Sequence, residues 1–394
     1  MSNLGNYIEI ILGGTPKTDR VDYWNGNIPW ASVIDFGDHK TIYETEKTIT
    51  ESGLMNSNTK LLQAGDVIIS ARGTVGKVLV CGRNMAFNQS CYGLRTKDPN
   101  KLDQGYLFYL MKDTISYLLQ KAVGGVFDTI IKSTLENVPV SLPSISQQVK
   151  ISSTLSAYDD LIENNLRRIA LLEESARLLY KEWFVRLRFP GYEHTRIING
   201  VPEGWKSRPL SELTDYINRG IAPDYDDEAE GIVINQKCVR NGRIDLSLGR
   251  HQSRQFSSVR QVRVGDVLVN STGEGTLGRV AQLKTPVENC TVDTHITLVR
   301  PKAELGIHYF GLAMMAWEPR FSCMGRGATN QTELSRSAIM ETEIIIPPNS
   351  LVREFEVFED PIYREISNLN LQNSRSKNAR DLLLPCLMSG EIAV

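Results

Sequence analysis

An α+β fold built twice is what this sequence predicts: two globular β-rich domains separated by two long antiparallel coiled-coil helices, arranged as a pseudo-twofold internal repeat. Three observations point there. The stretch GDVIISARGTVGKV (Gly65 to Val78) returns two hundred residues later as GDVLVNSTGEGTLGRV (Gly265 to Val280). Further echoes keep a nearly constant offset: NQSCYGLRTK with VDTHITLVRPK, YLFYLM with YFGLAMM, VPVSLPS with TEIIIPPN, and more weakly LGNYIEIILGGTPK with LSELTDYINRGIAP. After each of these β-rich parts comes a long run whose apolar residues recur at heptad spacing. A period of about half the chain is too long for a solenoid and implies two homologous domains. The expected division is 1–144 for the first domain and 145–190 for the first spacer helix. The second domain follows at 191–347 (191–209 being linker), and 348–394 holds the second spacer helix and tail.

The duplicated glycine-rich stretch has the look of a phosphate loop, but a P-loop needs G-x-x-x-x-G-K-[ST], whose hydroxyl holds magnesium. Here Val78 follows Lys77, and Val280 follows Arg279, so no hydroxyl is available. A hairpin fits better: Val67 to Ile69 as a buried strand, a polar turn, and a return strand from Val78.

From Gln147 to Phe184 there is no Gly or Pro. Ile151, Leu155, Tyr158, Ile162, Ile169, Leu172, Ala176, Leu179 and Trp183 alternate steps of three and four, with Asn165 as a polar residue in the same seam. The second run, Leu351 to Leu384, has Phe355, Ile362, Ile366, Leu369 and Leu383 in its seam, with Asn373 and Ser376 among them. Pro361 is expected only near a helix start or at a kink. SARLL (Ser175 to Leu179) echoes NARDLL (Asn378 to Leu383), so the helices are duplicated as well.

With 394 residues and 41% hydrophobic content, the chain can bury two cores. Six scattered cysteines without a C-x-x-C pair argue against a zinc site or disulfide framework and for a reducing compartment. The start lacks a signal-peptide pattern and nothing approaches a membrane span, so the expectation is a soluble, cytoplasmic protein without a membrane partner. The net charge of −2 hides a basic stretch from Lys237 to Arg263, holding Lys237, Arg240, Arg243, Arg250, Arg254, Arg260 and Arg263 against Asp245 alone. Such a stretch suits nucleic-acid contact, although charge runs are commonly just solvated faces.

Taken together, LGGTPKT…YWNGNIPWASVIDF, GDVIISARGTVGK, LIENNLRRIALLEESARLLYKEWF, GVPEGWKSRPLSEL and RDLLLPCLMSGEI resemble, over the whole chain and in this order, the specificity (S) subunits of type I restriction–modification enzymes. The resemblance implies that each domain is a target-recognition domain reading one half of a split, asymmetric double-stranded DNA site. It also implies that the helices dock two methyltransferase (M) subunits, and that two restriction (R) motor-nuclease subunits join for cleavage. S-adenosylmethionine, ATP and magnesium would sit on those partners, with no cofactor or metal in this chain.

No catalytic motif is present: no F-x-G-x-G or [ND]-P-P-[YF], no nuclease PD…(D/E)-x-K, no H-E-x-x-H. The chain reads as a binding subunit rather than an enzyme; a two-domain protein scaffold is the alternative. DNA contacts are expected from polar turns. Arg72, Thr74 and Lys77, with Ser271, Thr272 and Arg279, lie at the hairpin tips, where guanidinium groups reach guanine or phosphate. A second loop class holds Lys132 and, in the other copy, Arg326, Thr329, Asn330 and Gln331; Asn and Gln suit adenine. Lys17, Arg219, Lys237 and Arg240 complete the DNA-binding expectation. Tyr23 or Trp24 could stack on bases, whereas Trp30 reads as core. Ile162, Asn165, Ile169, Leu172, Leu179, Ile366, Leu369 and Leu383 are the expected partner-binding positions.

Overall fold

The computed structural model describes residues 2–37, 39–73, 75–121, 129–326 and 332–394. The chain forms two compact units, Met1–Arg167 with Asn370–Val394, and Arg168–Leu369. The division therefore falls inside both long helices, and each unit holds one β-rich domain with segments of both.

In the first unit a five-stranded sheet runs in the order Ile8–Leu12, Cys91–Thr96, Val67–Ser70, Val78–Cys81, Thr41–Ile42. A three-stranded sheet runs Lys47–Ile49, Trp24–Ala31, Ala86–Phe87. The second unit repeats the plan. Thr214–Arg219, Ile296–Pro301, Val267–Asn270 and Val280–Gln282 make its main sheet, and Arg250–Gln252, Gly231–Ile234 and Cys290–Val292 the smaller one. The expected hairpins are present: Ile68 pairs with Leu79, and Leu268 with Ala281. All-buried strands such as Val67–Ser70 and Val267–Asn270 account for the continuous apolar runs.

The repeated Gly-Asp-Val does the same work in both copies. Gly65 and Gly265 take φ of +92° and +94°, a conformation that L side chains resist. Each following aspartate accepts a turn N–H, Asp66 from Gln63 at 2.7 Å and Asp266 from Arg263 at 2.8 Å. It also holds an arginine from the neighbouring strand: Arg95 Nε reaches Asp66 Oδ1 at 2.8 Å, and Arg300 Nε reaches Asp266 Oδ1 at 2.8 Å. The motif is thus a structural anchor, which is why it survives duplication while the loop beside it diverges.

The first spacer helix spans Ile145–Tyr180 and continues as a π-helical turn over Lys181–Val185. The second spans Asn349–Ser389. In the first unit Asn165 Nδ2 donates to Asn373 Oδ1 at 3.0 Å, and Arg380 is ion-paired with Asp159. Partner numbers fall along one helix as they rise along the other, so the pair is antiparallel. In the second unit Ile169 packs with Ile366 and Leu369, and Trp183 meets Phe355 with ring centroids 5.6 Å apart. Pro361 lies inside the second helix rather than at its start. The residue four before it, Val357, is exposed, so the carbonyl left without a helical donor can meet water.

Burial on the two helices coincides when Ile151 is laid on Phe355. The same shift lays Leu155 on Glu359, Asp159 on Tyr363 and Ala176 on Arg380, all buried. The SARLL and NARDLL echo is one residue out of step with that pattern. The six cysteines are free thiols, four of them buried, and no described helix is long and apolar enough to cross a membrane.

Candidate nucleic-acid interface

One edge of the first unit is built from four loops tied backbone to backbone. Gly14 N–H donates to Phe87 O at 2.9 Å, and Thr15 Oγ1 donates to Gln89 Oε1. Gly13 permits this approach, since a Cβ there would lie 2.1 Å from Asn88 O. Ala71 and Arg72 N–H both donate to Ser90 O, at 2.8 and 3.2 Å, and Ile130 N–H donates to Ala71 O at 2.8 Å. The loop holding Lys17, the Asn88–Ser90 turn, the Arg72 turn and the Thr129–Lys132 segment are thereby brought side by side.

The second unit makes the same edge from the corresponding loops. Ile221 N–H donates to Val292 O at 2.9 Å, and a Cβ on Gly220 would lie 1.8 Å from that oxygen. Ser271 N–H donates to His295 O at 2.8 Å, and Leu334 N–H to Ser271 O at 2.9 Å. Thr272 and Arg326 each bridge to Glu333. The scaffold is shared while the side chains on it differ: Arg72 and Ser90 in one unit stand where Thr272 and His295 stand in the other.

The expected DNA-binding residues divide by what they already touch. Lys17, Arg72, Lys237, Arg240 and Arg326 are exposed on loops or hairpin ends. Lys132 is exposed and 3.5 Å from Glu136. Arg279 donates to Gly275 O at 2.8 Å within its own turn. Arg219 is 2.7 Å from Glu333 and donates to Leu334 O at 3.0 Å, so it braces two loops of the edge. Thr74, Thr329, Asn330 and Gln331 lie outside the described residues.

Three placements depart from the sequence reading. Ser271 is fully buried just past the end of the Val267–Asn270 strand, its hydroxyl 2.6 Å from Thr297 Oγ1 and its backbone tied to His295 and Leu334. Lys77 is turned inward, its ammonium donating to Phe36 O at 2.8 Å. The basic stretch does not form one free patch. Arg243 is 2.5 Å from Glu173, Arg254 is 3.2 Å from Asp224, and the Arg250 guanidinium stacks 3.5 Å from the Tyr225 ring centroid. Tyr23 is buried, as is Trp30, whose Nε1 donates to Gly14 O at 3.0 Å; Trp24 is half-buried against Trp30.

By sequence the lone His295 reads as a satisfied polar group rather than a base. It is exposed, with Nδ1 2.6 Å from Thr272 Oγ1, and its backbone N–H donates to Asp293 Oδ1 at 2.9 Å. Burial pushes the Asp293 carboxyl above its ordinary range, partly offset by that N–H. Thr272 thus orients the imidazole on this edge.

On the helices, Asn165, Ile169, Ile366 and Leu369 are buried in the chain's own helix pair, and Leu179 and Leu383 pack on adjoining cores. Ile162 and Leu172 are half-buried. These seam positions are satisfied internally because each helix supplies the other's apolar partner.

Residues 1–174 match the family described as type I restriction modification DNA specificity domain. The type I restriction enzyme MjaIX specificity subunit of Methanocaldococcus jannaschii is 26% identical over 405 aligned positions, covering 98% of this chain and 91% of that protein. The MjaVIII specificity subunit of the same organism is 26% identical over 250 positions, covering 60% of this chain and 53% of its own length. The crystal structure of the type I restriction–modification S subunit from M. genitalium shares the fold, with a TM-score of 0.53 at 16% identity, covering 98% of this chain and 94% of that one. With its duplicated sheets and paired helices, the chain has the fold of type I restriction–modification specificity subunits, is similar to them over its whole length, and matches their DNA specificity domain over residues 1–174.

Proposed function

We propose that each unit reads one half of a bipartite, asymmetric double-stranded DNA target through its four-loop edge, and that catalysis resides on partner subunits. The observation that carries this is the repeated edge: one backbone scaffold, held by the same hydrogen bonds, presents different side chains in the two copies. A duplicated scaffold with diverged tips is what reading two different half-sites requires, since base contacts specify and the rest positions. Arg72 in the first unit and Arg326, with His295, in the second are the exposed groups suited to base edges or phosphates.

The methyltransferase subunits dock, in this reading, on the outer faces of the helices, where Leu171, Leu178 and Val357 in one unit and Leu371 and Leu382 in the other are exposed. Exposed aliphatic residues repeated along a helix are the kind of surface a partner buries. The motor-nuclease subunits would then join through that complex.

The test is methylation mapping with the methyltransferase partner co-expressed. Arg72→Ala should relax or abolish recognition of one half-site only, and Arg326→Ala that of the other. Equal loss on every sequence from both variants would assign these arginines to phosphate contact instead. Unchanged methylation at the original site in both would defeat the edge as the reader.

A further inference from the structure

The two units carry the same recess beside the paired helices, with opposite contents. In the first unit it lies between the hairpin turn, helix Gln104–Lys121 and the spacer helices, with a volume of ≈ 210 Å³. Its wall includes Lys40, Lys77, Lys112, Lys377 and Arg380, and Asp159 is the one carboxylate among the described lining residues. In the second unit the counterpart has closed to ≈ 10 Å³. The burial shift that lays Ile151 on Phe355 also lays Phe108 on Leu312, Ile162 on Ile366 and Glu173 on Lys377, and all six line one recess or the other.

That last correspondence decides the difference. In the second unit Glu173 supplies an internal counter-ion, 2.5 Å from Arg243 and 3.4 Å from Lys284. Lysine stands at the matching place in the first unit. Arg380 is paired with Asp159 and with Asp381 at 2.7 Å, and Lys40 lies 3.5 Å from Asp160. Lys77 meets only a neutral carbonyl, and Lys377 has no ion pair among the described residues. Burial and then the Arg380 charge push the Lys112 ammonium below the usual lysine range, with Asp159 and Asp381 opposing and Lys377 adding to the effect. For Lys284 burial acts the same way, and Glu173 opposes it by both charge and a hydrogen bond. One copy is neutralised from within, and the other holds an excess of cations around open space.

We propose that the recess of the first unit binds a phosphoryl group, with Lys377 as the residue that leaves the site to be filled by an external anion. A water takes roughly 30 Å³ of liquid volume, so the space suits one tetrahedral oxyanion and its hydration. It falls below the roughly 300 Å³ at which pockets for larger organic ligands begin. The phosphoryl group can come from free orthophosphate or from a DNA backbone reaching past the neighbouring hairpin turn. The charge arrangement holds for either source, so the site does not depend on the loops reading bases.

The full chain is titrated with orthophosphate at matched ionic strength by calorimetry, against chloride alone, and bound to a duplex of unrelated sequence over a range of salt. Orthophosphate binding that Lys377→Glu weakens at least tenfold, and Lys377→Gln in part, supports the site. Lys377→Glu should also raise the melting temperature without phosphate, since it restores the arrangement around Glu173; this shows that the variant folds. If the anion is a DNA phosphate, Lys377→Glu also lowers the salt slope of duplex binding by about one. An unchanged slope with orthophosphate binding lost assigns the site to the free anion. Absence of orthophosphate binding to the parent chain together with an unchanged slope in the variant would overturn the proposal. Loss of all duplex binding from loop variants, with orthophosphate binding intact, would touch only the recognition reading.

Discussion

Glu359 is fully buried in the second unit, and neither carboxylate oxygen has a hydrogen-bond partner among the described residues. Burial raises its pKa to about 7, with Glu356 adding and Lys284 opposing. In the unfolded chain the group ionises near the ordinary glutamate value of 4.5. Between those limits the folded state binds more protons than the unfolded one, so stability falls as pH rises from about 4.5 to about 7. Below that window the group imposes no penalty; above it the penalty is full. A separation of about 2.5 units at 1.36 kcal/mol each is on the order of 3 kcal/mol. Glu359→Gln, which has the size of the protonated acid and no charge, should therefore melt within a few degrees of the parent at pH 4.5. At pH 8 it should melt roughly 6–12 °C above it, taking about 2–4 °C per kcal/mol for a unit of this size. Scanning calorimetry across pH reads the difference, in which other titrating groups cancel. Hydrogen exchange assigns it to the second unit. Parallel melting curves for parent and variant across the window would show that this carboxylate is hydrated or paired, and the reasoning would fail.

The repeated aspartate–arginine anchors should respond unequally. Asp266→Ala leaves the buried Arg300 charge with only the Val259 and Gln261 carbonyls and no counter-ion, at a cost of about 3–5 kcal/mol, whereas Arg95 is 31% exposed and can turn to water after Asp66→Ala. Unit-resolved hydrogen exchange should show the larger loss in the second unit, and equal losses would contradict the exposure argument. Gly220→Ala, with its Cβ 1.8 Å from Val292 O, should displace the loop and weaken DNA binding more than tenfold without unfolding the sheet, read by mobility shift alongside circular dichroism. Replacing Asn165 and Asn373 together with Leu should raise thermal stability by about 1–3 kcal/mol, because Asn373 Nδ2 is buried without a partner among the described residues. A fall in melting temperature would mean that the polar pair stabilises the helices rather than setting their register.

The duplication, the hairpins, the two long helices and the antiparallel seam were legible in the sequence because each is a local pattern. Alternating or continuous apolar runs specify strands, heptads specify paired helices, and a repeated Gly-Asp-Val marks a turn whose backbone demands glycine. The resemblance carried by those same stretches set the family expectation. What sequence could not decide is which polar groups are already spent. Arg243 lost its freedom to Glu173, which lies 70 positions away, and Lys77 to a carbonyl of Phe36. Ser271 is buried by Thr297, which lies 26 positions away and packs against it just past the strand end. His295 acquired its place on the recognition edge only when folding brought Thr272 against it. Partner-binding positions followed the same rule: a heptad seam announces that something will cover it, but not whether that is another chain or the chain's own second helix. The recess around Lys377 shows the limit most plainly. Glutamate and lysine at matching positions of a repeat look like surface drift, and only packing shows one of them closing a cavity that the other leaves open. Local pattern sets the elements, because backbone geometry and burial act over a few residues. The fate of each charge is set by neighbours that sequence separation hides, because its energy depends on distances only the folded chain creates.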